Sequence, residues 1–211
     1  MSVKRVIMIR IEGFTRAKQL LSRKNPLESL TASPQLATQI KQTFRKELSP
    51  QQVVDLIVAE VKDKGDEALF YYAKKLDGVE LNSLEVSKQE ILAAYDMVDE
   101  ELISALKLAA KRIRGFHLTC AAKSGTAFVN HCLGRQIQPL DRVGLYVPGG
   151  TAAYPSTVLM TAIPANVAGV REIITFSPPD KDGRIPAPTY VAANIVKVHR
   201  IFKVGGAQAI A

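Results

Sequence analysis

The sequence predicts an α/β protein, helix-rich in its first part and built on a parallel sheet with crossover helices in its last. Three observations carry that prediction. Apolar residues recur at helical spacing from residue 49 to residue 113. After residue 142, short apolar runs alternate with helix-length segments, the pattern of β-α-β units with right-handed crossovers. Two of those runs end in paired glycines, in "VPGGT" (147–151) and "VGGAQ" (204–208).

The helices are punctuated clearly. Ser49 and Pro50 supply an N-cap and a first-turn proline, Val53, Leu56, Ile57 and Val61 form one face, and Gly65 ends the run. Asp66 restarts a helix through Leu69, Tyr72 and Leu76, which Gly78 stops. In "SKQE" (87–90), Ser87 and Glu90 have the spacing of a capping box, ahead of Ile91, Leu92, Tyr95 and Met97. Asp99 opens a fourth helix with Leu102, Leu106, Ala109 and Ile113 as its stripe.

The texture changes after Gly115. "TAFVNHCLGRQIQPL" (126–140) has β-branched and aromatic residues and no helical period, which predicts one or two strands or a hairpin. Strands are then expected over 143–147, 172–176 and 201–204, with helices over 156–170, disturbed by Pro164, and over 189–198. Turn residues make 177–188 a loop. The final "AQAIA" reads as the first turn of a helix without a stop signal, so the chain is expected to stop inside a domain. Three strands with two crossover helices would also leave part of a parallel sheet uncovered.

Charge and cysteine content narrow the function classes. The net charge is +8 over 211 residues, but residues 1–24 hold Lys4, Arg5, Arg10, Arg16, Lys18, Arg23 and Lys24 against the single acid Glu12. A nucleic-acid-binding domain usually carries a basic stripe across its folded face. An excess confined to an arm argues for a solvated or partner-contacting segment and against nucleic acid. Met8, Ile9 and Ile11 interrupt the basic face an organelle transit peptide would need. Two cysteines, Cys120 and Cys132, make no disulfide framework, and no apolar run has bilayer-spanning length, so a cytoplasmic protein without membrane contact is expected.

Candidate chemistry is sparse. His117, Cys120, His131 and Cys132 suggest a zinc site, but adjacent residues in a strand point to opposite faces, which breaks the ligand pairing. His199 stands alone and reads as solvent-facing. Paired catalytic carboxylates, a nucleophile elbow and H-E-x-x-H are all missing. The two glycine turns differ from this background. Both must lie at the carboxyl ends of strands, where open α/β sheets bind ligands, and glycine lets backbone N–H groups face an anion.

At these turns the sequence closely resembles the histidinol dehydrogenase family. "RVGLYVPGGTAAYPSTVLMTAIPANVAGV" (142–170) and "FKVGGAQAIA" (202–211) carry the resemblance, with "VKDKGDEAL" (61–69) and "LDGVEL" (76–81) in order before them. It extends from about residue 40 onward. It implies NAD-dependent oxidation of L-histidinol to L-histidine through an aldehyde, by zinc-containing homodimers with incomplete Rossmann-like domains. Charge and residue pattern divide the chain into a basic arm over 1–24, a helix-rich part with a short β segment over 25–142 and an α/β part over 143–211, and the resemblance implies that this last part is an incomplete Rossmann-like NAD-binding domain. Carried over by motif, Tyr146, Pro148 and Gln208 are the expected NAD contacts. The family's Glu-His acid/base pair, zinc ligands and substrate-binding residues correspond to positions past Ala211, so no residue here is assigned to catalysis or metal. That implies a chain inactive by itself, or alternatively a non-catalytic nucleotide-binding or dimerising fragment. The stretch from Cys120 to Leu140 is shorter than usual for the family.

Overall fold

The computed structural model describes residues 12–21, 33–123, 128–130, 133–149 and 152–211. Most of the basic arm, with Met8, Ile9 and Ile11, lies outside them, as do His131, Cys132, Gly150 and Thr151. The chain divides into two compact units, 1–53 and 54–211.

The first unit holds α1 (Phe14–Leu21), α2 (Pro34–Phe44) and the start of α3 (Pro50–Lys64). Helix α2 is capped by Ser33, whose Oγ accepts from the Leu36 N–H at 3.2 Å, with Pro34 in the first turn. Helix α3 begins at the Ser49 cap as expected. Ser49 Oγ accepts from Gln52 N–H at 3.2 Å, and Gln52 Oε1 accepts in return from Ser49 N–H at 2.8 Å.

In the second unit α4 (Asp66–Tyr72) runs into a π-helical turn, Ala73–Asp77, closed by Gly78 at φ +73°. The next helix, α5 (Lys88–Ala93), carries the complete capping box, with Glu90 N–H donating to Ser87 Oγ at 3.2 Å and Ser87 N–H to Glu90 Oε2 at 2.8 Å. A 3-10 turn follows at Ala94–Met97. Helix α6 (Glu100–Lys123) continues well past Gly115, where the sequence suggested a change of texture. One interior glycine costs about 1 kcal/mol against alanine, less than the further turns of helix return, and Thr119 Oγ1 ties back to Gly115 O at 3.0 Å.

The short strands β1 (Phe128–Asn130) and β2 (Leu133–Arg135) form an antiparallel pair. The main sheet has the order β3 (Arg142–Tyr146), β4 (Glu172–Phe176), β5 (Arg200–Phe202), all parallel, with Val143 beside Ile173 and Thr175 beside Ile201. The crossovers are α7 (Pro155–Ala168), unbroken at Pro164, and α8 (Ala187–Ile195). Val158, Leu159, Ala162 and Ile163 of α7 and Val191 to Ala193 of α8 pack into one core with Val147, Ile173, Ile201 and Leu106 of α6. The opposite sheet face carries Gly144, Ile174, Phe176 and Phe202, the two phenyl rings stacked at 5.5 Å. The outer edge of β5 is closed by residues 84–86: Val86 N–H donates to Ile201 O at 2.9 Å and Lys203 N–H to Leu84 O at 2.7 Å. The strand axes therefore end together, and three loops leave the sheet at its carboxyl edge. No helix among the described residues is long and apolar enough to cross a membrane.

Candidate dinucleotide site at the carboxyl edge of the sheet

Each of the three loops is shaped by a close approach. After β3, Val147 is fully buried and its N–H donates to Phe176 O at 2.8 Å, which carries the chain one pair past the strand. Gly149 then passes the loop after β4 so tightly that an added Cβ would lie 3.0 Å from Pro178 O and 3.1 Å from Ser177 Oγ. On the other side, a Cβ at Gly205 would lie 2.5 Å from Pro178 Cβ. Glycine on both flanks of Pro178 thus has a steric cause. Gly206 has a conformational one as well, with φ +62° and ψ −160°, a region open essentially to glycine alone.

Tyr146 closes the arrangement. It is the last residue of β3 and is 37% exposed, and its hydroxyl accepts a hydrogen bond from Gly206 N–H at 3.2 Å. A cavity of about 540 Å³ opens beside it, lined by Tyr146, Gly149, Gly206, Pro178, Lys181 and Asp77 among others. The lip formed by the loop after β4 is ordered by Asp180, whose Oδ1 accepts from the N–H groups of Asp182 and Arg184, both at 2.9 Å.

Polar atoms beneath these loops lack partners. Thr175 Oγ1, Ser177 Oγ and Gln208 Oε1 are buried without a hydrogen bond among the described residues, and so is Asp77 Oδ2. Leaving such a group unpaired costs about 1–3 kcal/mol, so four in one part of the fold call for an explanation. Burial pushes the Asp77 carboxyl above the usual aspartate range.

Of the residues singled out by sequence, Tyr146 lines the cavity and bonds the Gly206 backbone, while Gln208 is not among the described residues lining the cavity. Gln208 is only 3% exposed and sits under Gly206, whose Cβ, if present, would be 2.6 Å from Gln208 Oε1. It belongs to a 3-10 turn, Ala207–Ala209, where the sequence suggested the first turn of a helix. Pro148 is exposed on the same loop as Gly149 and is not among the described residues lining the cavity. Asp77, Ser177 and Lys181 were missed, since each reaches the site only through the fold.

Among the described residues no group of three or more His, Cys, Asp or Glu could hold a metal ion. His117 lies edge-on to Phe116 along α6 at 5.3 Å, and Cys120 is exposed three residues on. His199 is exposed, and its Nδ1 accepts from Ile173 N–H at 3.0 Å.

The model for histidinol dehydrogenase matches residues 40–211. The chain belongs to the histidinol dehydrogenase family. The histidinol dehydrogenase of Dehalococcoides mccartyi strain CBDB1 is 46% identical over 209 residues, which is 95% of this chain and 45% of that protein. The enzyme of Geobacillus kaustophilus strain HTA426 is 50% identical over 157 residues, covering 74% of this chain and 37% of its own length. The crystal structure of histidinol dehydrogenase from Elizabethkingia anophelis superposes with a TM-score of 0.71 at 36% identity, over 78% of this chain and 39% of that one. The chain thus spans less than half the length of the histidinol dehydrogenases it matches.

Proposed function

We propose that this chain forms the dinucleotide-binding part of a histidinol dehydrogenase, which oxidises L-histidinol to L-histidine with NAD. Family membership supports the reaction. The observation that carries the site is the Tyr146–Gly206 hydrogen bond across a cavity floored by glycine turns, with unpartnered buried oxygens beneath it.

The residues fit a dinucleotide in kind. Residues 143–211 hold the two glycine turns, whose backbone can approach a pyrophosphate closely. Tyr146 offers a ring face and a hydroxyl, Gln208 an unpaired amide oxygen, and Pro148 an exposed apolar surface on the rim. Helix α7 starts after the first glycine turn without a side-chain cap, with Pro155, which has no N–H, at its start and the Thr157 N–H donating to Tyr154 O at 3.1 Å. Bound NAD would accept a hydride from the alcohol. What these residues do is bind and orient the dinucleotide, with Gly205 and Gly206 fixing the reach of Gln208.

Zinc does not fit the described residues, which bring no three His, Cys, Asp or Glu side chains together. The proton acceptor and the groups that hold histidinol belong, in this proposal, to the part of the family's length this chain does not span. A homodimeric, cytoplasmic enzyme is part of the same proposal, with sedimentation velocity as the test of the assembly. The confinement of excess positive charge to residues 1–24 supports a reading without nucleic acid.

Two assays test the proposal on the purified 211-residue chain. Calorimetric titration should show NAD binding, while histidinol plus NAD should yield no NADH. Absence of NAD binding overturns the site, and robust NADH formation overturns the assignment of the chemical groups elsewhere.

A further inference from the structure

Among the described residues lining the cavity, Asp77 is the one carboxylate that the fold itself leaves unexplained. It ends the π-helical turn, and Gly78 at φ +73° turns the chain away immediately after it. The turn places Asp77 in the same cavity wall as Tyr146, Gly149, Gly206 and Lys181. Asp180, the other acid there, already accepts two backbone N–H groups. Asp77 has no such use: Oδ2 is shielded from solvent and has no hydrogen-bond partner among the described residues.

The torsion that turns a carboxylate about its Cβ–Cγ bond is broad and two-fold, so either oxygen can be presented to a donor in the cavity. A group with two acceptor oxygens and no donors is matched by a pair of neighbouring hydroxyls. A dinucleotide carries such a pair on each ribose, and an acidic residue at the carboxyl edge of a parallel sheet is a general solution for holding them. The same carboxylate repels a phosphate esterified to the 2′ position.

We propose that Asp77 accepts hydrogen bonds from a ribose cis-diol of the bound dinucleotide and excludes the 2′-phosphorylated form. The inference rests on the dinucleotide reading of the cavity given above and adds to it a specificity-determining residue. Lys181 lines the same cavity and is exposed. It suits the pyrophosphate, and a 2′-phosphate drawn to it instead would reverse the expected preference. The burial that raises the Asp77 carboxyl's pKa is consistent with an acceptor awaiting a donor.

The test compares NAD and NADP binding to the full chain and to Asp77→Asn, which keeps the side chain's shape, by calorimetry and amide chemical shifts. The wild type should prefer NAD by at least about tenfold, and Asp77→Asn should lose most of that preference while keeping its amide spectrum. Asp77→Ser, which frees space as well as charge, should shift the ratio in the same direction. A ratio unchanged by both variants overturns this inference and leaves the NAD site standing. A wild type that prefers NADP does the same, assigning the selectivity to Lys181. Binding of neither dinucleotide to the wild type overturns the underlying reading and this inference together.

Discussion

The hydroxyl of Tyr146 and the backbone N–H of Gly206 are joined by a hydrogen bond of 3.2 Å, linking the end of β3 to the loop after β5 across the intervening strand. One oxygen thus sets the distance between the two glycine turns. Removing it in Tyr146→Phe should cost little stability, about 0.5–1 kcal/mol, since the bond is solvent-accessible. Dinucleotide affinity should fall further than that, because both the hydroxyl and the fixed spacing are lost. Urea unfolding and calorimetry on the same samples separate the two effects.

Gln208 permits a sharper separation. Its Oε1 is buried without a partner, so Gln208→Met, which conserves volume, should leave stability unchanged or raise it. NAD binding should weaken in the same variant. A large loss of stability would show that the amide serves the fold rather than a ligand.

Much of this architecture was legible from the chain. The Ser87–Glu90 capping box declares itself by residue type and spacing, and both of its hydrogen bonds form. The β3–α7–β4–α8–β5 order followed from apolar runs broken by glycine, because parallel strands buried by helices read as continuous apolar stretches. Local signals failed where longer-range packing decided. Gly115 looks like a stop, yet α6 passes through it, and nothing in "AKKLD" announces a π-helical turn. Tyr146 and Gln208 draw attention in the sequence because they sit inside the glycine motifs. Asp77 lies in another element, and only the tertiary fold brings it to the same cavity.

The close approaches around Pro178 make a steric prediction. Gly205→Ala would put a Cβ 2.5 Å from Pro178 Cβ and 3.1 Å from Pro178 Cα, so backbone must move. A destabilisation of about 1–3 kcal/mol is expected, the range for overpacking a tight contact. Denaturant unfolding measures it, and the amide shifts of Tyr146 and Gly206 should move with it.

A pH dependence comes from Lys203, which is 9% exposed and holds Glu90 Oε1 at 2.5 Å, linking β5's loop to α5. Burial raises the Glu90 carboxyl, but the hydrogen bonds from Lys203 and Ser87 outweigh it and leave the pKa below the ordinary glutamate value. A depressed folded-state pKa gives stability that is present above the unfolded value, about 4.3, and is lost as pH falls through the folded one. Thermal midpoints should therefore drop on acidification below about pH 4.3. Lys203→Met should lower the midpoint at pH 7 and flatten that acid limb.

The central claim is that the carboxyl edge of this sheet binds a dinucleotide, and amide chemical-shift titration with NAD tests it most directly. Few contacts imply weak binding, with a dissociation constant of about 1 mM, or about −4 kcal/mol. The account predicts saturable shifts at Tyr146, Gly149 and Gly205 that Tyr146→Ala abolishes. Shifts confined to residues 1–24, or shifts at the glycine turns that persist unchanged in Tyr146→Ala, would contradict it.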